Sequence, residues 1–119
     1  MVRRRGPGEL ESEVMAALWA ADQPMTAGGV QTVLGDGLAY NTVQTILIRL
    51  LEKGLVQRAA AGRGHAYWPV RDAATTAADR MRAALDGRPD RRAVLQQFAA
   101  GLDADDVSTL RALLAERGP

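Results

Sequence analysis

The sequence contains no cysteine. Disulfides, thiolate metal sites and cysteine nucleophiles are thereby excluded, and a cytoplasmic location is the default expectation. Histidine occurs once, at His65. No second imidazole or thiolate can join it on a metal, so neither a metal centre nor a nucleophile–base pair is expected. No phosphate-cradling GxxxxGK[ST] loop is present; "GPG", "GDG" and "GRG" read as turns. Long apolar runs are also missing, and nothing approaches the roughly 20 residues of a membrane span. The opening "MVRRRGPGELESEV" is basic, but neither an apolar stretch nor a small-residue cleavage site follows it, so it does not read as a signal peptide. Lysine occurs once, at Lys53, beside fourteen arginines. That bias resembles drift in a G+C-rich genome, so only the placement of arginine carries information. An enzyme is not expected, and no cofactor is implied.

What is present suits one or two small packed units. The chain has 119 residues, of which 47% are hydrophobic, and a net charge of +1. Residues 1–71 carry eight cations and six anions, whereas residues 72–119 carry seven and eight, so the basic excess lies in the first half. Apolar spacing predicts a first helix over about Glu9 to Ala21, with Leu10, Val14, Ala17 and Leu18 as its stripe and Trp19 beside it. Thr26 is expected to cap a second helix through about Leu34, with Val30, Val33 and Leu34 facing inward. Gly28 and Gly29 weaken that helix by roughly 1 kcal/mol each relative to alanine, so packing must hold it. A third helix runs over about residues 40–53 until Gly54 stops it. Beyond it the period changes: "LVQRAAA" and "HAYWPV" flank "GRG" as a β-hairpin.

Three helices and then a hairpin make a winged helix-turn-helix. The predicted fold is mostly α with a small β-hairpin: a winged-helix DNA-binding domain at residues 1–71 and a helical domain at 72–119. The second half offers three short apolar stripes: Ala77, Ala78, Met81 and Leu85; then Val94, Leu95 and Phe98; then Val107, Leu110, Leu113 and Leu114. Stripes this narrow cannot close a core within one small chain. They are expected to form a dimerisation module resting on Met81, Leu85, Val94, Leu95, Phe98, Leu110 and Leu114.

The third helix has two faces. Val43, Ile46, Leu47, Leu50 and Leu51 belong against a core. Asn41, Thr42, Thr45, Ile48 and Arg49 lie opposite, with Gln44 at the edge, and a face meant only for water would carry more Lys and Glu. Short polar groups near a helix start let the backbone approach base edges in a major groove. Asn and Gln can pair with adenine N6 and N7, and Thr can use its hydroxyl or its methyl. Ile48 suits a thymine methyl, and Arg49, nearly two turns along, suits a phosphate. Arg63 at the hairpin tip and an N-terminal arm of Arg3, Arg4 and Arg5 would add phosphate or minor-groove contacts.

The segments "LESEVMAALW", "AYNTVQTILIRLLEKGLVQR" and "GRGHAYWPV" resemble the penicillinase-repressor family of winged-helix regulators. The family pattern falls on Tyr40, Thr42, Val43, Thr45, Ile46, Leu47, Arg49, Leu50, Lys53 and Gly54. The likeness covers essentially the whole chain and is most specific in its first 70 residues. It implies a homodimeric repressor on a palindromic double-stranded DNA operator, with a C-terminal dimerisation domain. It further implies release through cleavage by a membrane sensor-protease responding to β-lactams, and hence antibiotic resistance. The bond cut in the family joins Asn to Phe, and those places are held here by Gln97 and Phe98. Two further departures lie on the reading face, where Asn41 replaces a frequent Lys and Ile48 a frequent Thr or Gln, so a non-standard operator is expected. Two other functions fit the same pattern: a winged-helix protein–protein module burying Ile48 against a partner, and a repressor released by a small ligand in the helical half.

Overall fold

The computed structural model describes residue 6, residues 8–35 and residues 37–118. Its elements run α1 (Glu9–Ala20), β1 (Met25–Thr26), α2 (Ala27–Leu34), α3 (Tyr40–Glu52), β2 (Val56–Ala61), β3 (Gly64–Pro69), α4 (Ala73–Leu85), α5 (Arg91–Ala100) and α6 (Ala104–Arg117). The chain divides into two compact units, Met1–Ala78 and Asp79–Pro119. The dividing line falls within α4, whereas a boundary drawn from sequence after residue 71 falls just before that helix begins.

In the first unit α1, α2 and α3 pack on one another and on the sheet. The core is made by Val14, Leu18, Val30, Val43, Leu47, Leu50 and Val56, all fully buried, with Met15, Ala27, Ile46 and Tyr67 around them. Val43, Ile46, Leu47 and Leu50 are the inward stripe of α3, and the 3.6-residue period places them on one side. Leu10, Trp19, Leu34, Leu38 and Leu51 pack at the margin.

The helix ends follow from the local chemistry. The Thr26 hydroxyl accepts the Gly29 amide at 3.1 Å and caps α2 as expected. α3 ends in a Schellman motif: the Gly54 amide donates to the Leu51 carbonyl and the Leu55 amide to the Leu50 carbonyl, both at 3.0 Å. That closure needs the left-handed φ of 76° found at Gly54. Gln31 Nε2 donates to the Leu38 carbonyl at 2.9 Å and ties α2 to the start of α3.

Two details differ from the sequence-based expectation. The hairpin has a third strand: β1 pairs antiparallel with β3, giving the sheet order β1-β3-β2. A strand of two residues offers no alternation to detect. Val33, expected inside, is 62% exposed, and the buried positions of α2 are Ala27 and Val30. With only eight residues, α2 presents barely two turns to the core, and Val33 falls on the far side.

The second unit is helical, with α5 and α6 complete in it. The Asp103 carboxylate accepts the Asp106 amide at 2.8 Å, so these aspartates start α6. None of α4, α5 and α6 contains a buried residue.

Candidate nucleic-acid interface

α3 projects the candidate reading residues together. Asn41, Thr42, Gln44, Thr45, Ile48 and Arg49 are all exposed, while the four core residues between them are buried. The two faces inferred from periodicity are therefore both present. Asn41, Thr45 and Ile48 are spaced i, i+4, i+7 and form one row along the helix. The side chains of Asn41, Thr42, Gln44 and Arg49 have no partner among the described residues.

Thr45 is different. Its hydroxyl donates to the Asn41 carbonyl at 2.9 Å. A threonine hydroxyl has one proton, so this side chain faces outward with acceptor lone pairs and a methyl but no donor. Ile48 keeps 39% of its surface exposed. The N-cap of α3 is Ala39, which supplies no side-chain acceptor, so the first amides of the helix lack a side-chain cap.

Arg63 is exposed in the two-residue turn between β2 and β3. Gly62 precedes it with φ of 61°, the conformation that two-residue hairpins require at their first central position. Arg58 is engaged within the sheet: its Nη1 donates to the Tyr67 hydroxyl at 3.3 Å, and the two residues are cross-strand partners. Trp68 Nε1 donates to Gln57 Oε1 at 3.1 Å on the same strand pair. His65 lies 6.4 Å from Tyr67, ring to ring, and is exposed. Among the described residues no group of three His, Asp or Glu could hold a metal. Arg3, Arg4 and Arg5 lie outside the described residues.

Lys53 has a role that sequence alone did not disclose. Its Nζ bridges both carboxylate oxygens of Glu11, at 3.0 and 2.9 Å, and so joins the end of α3 to α1. Trp19 acts comparably, its indole N–H donating to the Arg71 carbonyl at 2.9 Å.

The residues expected to hold a second copy are displayed in the second half. Met81, Leu95, Phe98, Leu110 and Leu114 are exposed, and Leu85 and Val94 are half-buried. Gln97 and Phe98 are both exposed and lie inside α5. No helix among the described residues is long and apolar enough to cross a membrane.

A penicillinase repressor family model matches residues 7–116. The chain belongs to the penicillinase-repressor family. It is 39% identical over 114 residues to the transcriptional regulator BlaI of Mycobacterium tuberculosis strain CDC 1551 / Oshkosh, covering 92% of this chain and 83% of that regulator. The same values hold for the BlaI regulator of strain H37Rv. Membership makes the chain a DNA-binding transcriptional regulator of repressor type and not an enzyme. Wild-type MarR from E. coli in its apo form superposes with a TM-score of 0.47 at 24% identity, covering 92% of this chain and 77% of that one. That likeness is too low to carry weight; the three helices and the sheet of this repressor-family chain define its winged helix directly.

Proposed function

We propose that the chain represses transcription in the cytoplasm as a homodimer on a palindromic operator, with one α3 in each of two successive major grooves. The observation that carries this is the outer face of α3, where Asn41, Thr42, Gln44, Thr45 and Ile48 are exposed without a charge among them and Arg49 and Glu52 follow towards the C-terminal end, in a member of a repressor family. Asn41 has the donor and acceptor that adenine N6 and N7 require. Arg49 and Arg63 supply phosphate anchors, and the uncapped start of α3 favours a further phosphate.

Packing supports the dimer. Exposed Met81, Leu95, Phe98, Leu110 and Leu114 accompany three helices with no buried residue, and a second copy supplies the missing core. A two-fold dimer presents its reading helices to half-sites about one helical turn, or multiples of it, apart.

Release by a membrane sensor-protease acting on the Gln97–Phe98 bond completes the proposal. Proteases act on extended backbone, and this bond lies within α5, so that helix must open locally first. Where no residue is buried the opening costs little, and a dimer core would raise the cost.

A gel-shift series tests the DNA role. Asn41→Ala should weaken a selected operator by about 1–3 kcal/mol and random DNA far less. Arg49→Ala should weaken both alike. Equal losses in the two variants would refute the division into reader and anchor.

A further inference from the structure

Resting on the operator-binding role above, we propose that Thr45 and Ile48 form a methyl-reading pair that selects thymine, or another 5-methylpyrimidine, within each half-site. Three observations converge. Thr45 has spent its only hydroxyl proton on the Asn41 carbonyl at 2.9 Å, so it has none for guanine O6 and N7, adenine N7 or thymine O4. That bond also fixes rotation about Cα–Cβ, which holds the threonine methyl in one place instead of three. Ile48 lies three residues on, where side chains of a helix become neighbours, and is 39% exposed although the other two isoleucine and valine positions of α3, Val43 and Ile46, are buried.

The row Asn41–Thr45–Ile48 thus changes character along the helix. Its first member offers a donor and an acceptor, and its last two offer methyl carbon, with no donor and only the lone pairs of the Thr45 oxygen besides. Among the four bases only thymine presents a methyl group to the major groove, at C5, whereas cytosine has hydrogen there and both purines present polar edges. An apolar pair beside guanine or adenine would strip water from N7 or O6 and return no hydrogen bond. Discrimination therefore has both an attractive and a repulsive part.

Full-length protein, a duplex selected by it from a random-sequence pool, and the same duplex resynthesised with deoxyuridine at the thymines test this. Uracil removes the methyl and keeps every hydrogen-bonding group. The expected loss on full replacement is about threefold to fivefold per contacted methyl, the size of burying one such group. Restoring single thymidines should locate the contacted positions, and 5-methylcytosine at those positions should bind more tightly than cytosine. Ile48→Ala should bind the thymine and uracil duplexes more nearly alike, Ile48→Val should keep most of the discrimination, and a thermal melt by circular dichroism verifies that both are folded. If the wild-type protein holds both duplexes equally and still rejects a scrambled one, the methyl-reading pair is wrong and the operator role stands. If no sequence is enriched from the pool, the operator role fails and takes the pair with it.

Discussion

Lys53 and Glu11, 42 positions apart in the chain, meet end to end, with Nζ 3.0 and 2.9 Å from the two carboxylate oxygens. The pair joins the C-terminal end of α3 to α1. Both side chains reach solvent, 55% and 24% exposed, and water screens their attraction. Lys53→Ala and Glu11→Ala are each expected to cost no more than about 1 kcal/mol in urea unfolding, with a smaller coupling in the double mutant. A coupling above about 2 kcal/mol would show that the pair behaves as a buried one.

The two faces of α3 should separate cleanly in stability measurements. Leu47 is fully buried, and Leu47→Ala is expected to cost about 2–5 kcal/mol. Ile48→Ala, one residue on, should change stability by about 0.5 kcal/mol or less. Urea midpoints for the two variants check the assignment of inside and outside.

Salt dependence tests Arg49 and Arg63 as the proposed phosphate anchors. Arg49→Ala and Arg63→Ala are each expected to flatten the slope of log affinity against log salt by about one unit. Lys53→Ala, whose charge is already paired with Glu11, should change that slope much less. A titration of operator binding over several salt concentrations distinguishes these outcomes.

The proposed dimer surface can be tested without disturbing a monomer core. Phe98 is 46% exposed and Leu114 54%, so a charge at either site disturbs little within one chain. Phe98→Asp and Leu114→Asp are expected to shift the protein from dimer to monomer in sedimentation velocity, and to weaken operator binding while random-DNA binding by each winged unit persists. Dimers at unchanged strength in both variants would place the interface elsewhere.

Asp72 is held in its ionised form by its neighbours at the start of α4. Hydrogen bonds from the Thr75 hydroxyl and amide, the latter at 2.7 Å, hold its carboxyl below the ordinary aspartate value. A lowered folded-state value means that the carboxylate stabilises the start of α4 above the unfolded-state value, and that this stabilisation is lost as pH falls through the folded one. Asp72→Ala should therefore lower the thermal midpoint at neutral pH, and the gap to the wild-type protein should close in acid. Melts followed by circular dichroism across the acid range check the sign.

Much of this was legible in the sequence where a period was long enough to count. Thirteen residues of α3 hold nearly four turns, and Val43, Ile46, Leu47 and Leu50 could be told from Asn41, Thr45 and Ile48 by spacing alone. The Thr26 cap and the Gly54 stop were legible because each is a local event. β1 was not, because two residues have no period, and its pairing with Tyr67 and Ala66 is set by tertiary packing. Val33 misled because a hydrophobic side chain near the end of a short helix fits either side. The ties of Lys53 to Glu11 and of Trp19 to Arg71 were illegible for a third reason: each joins positions more than forty residues apart, and nothing local marks such a partner.

Trp19 and Trp68 each have the indole N–H hydrogen-bonded within the first unit, and both tyrosines lie in that unit too. The second unit has Phe98 as its sole aromatic residue. Intrinsic fluorescence excited at the tryptophans is thus a built-in reporter of the winged half alone, whereas the far-ultraviolet spectrum registers every helix. Following both signals through one denaturation shows whether the two halves melt in concert or in turn, with no label attached to the protein.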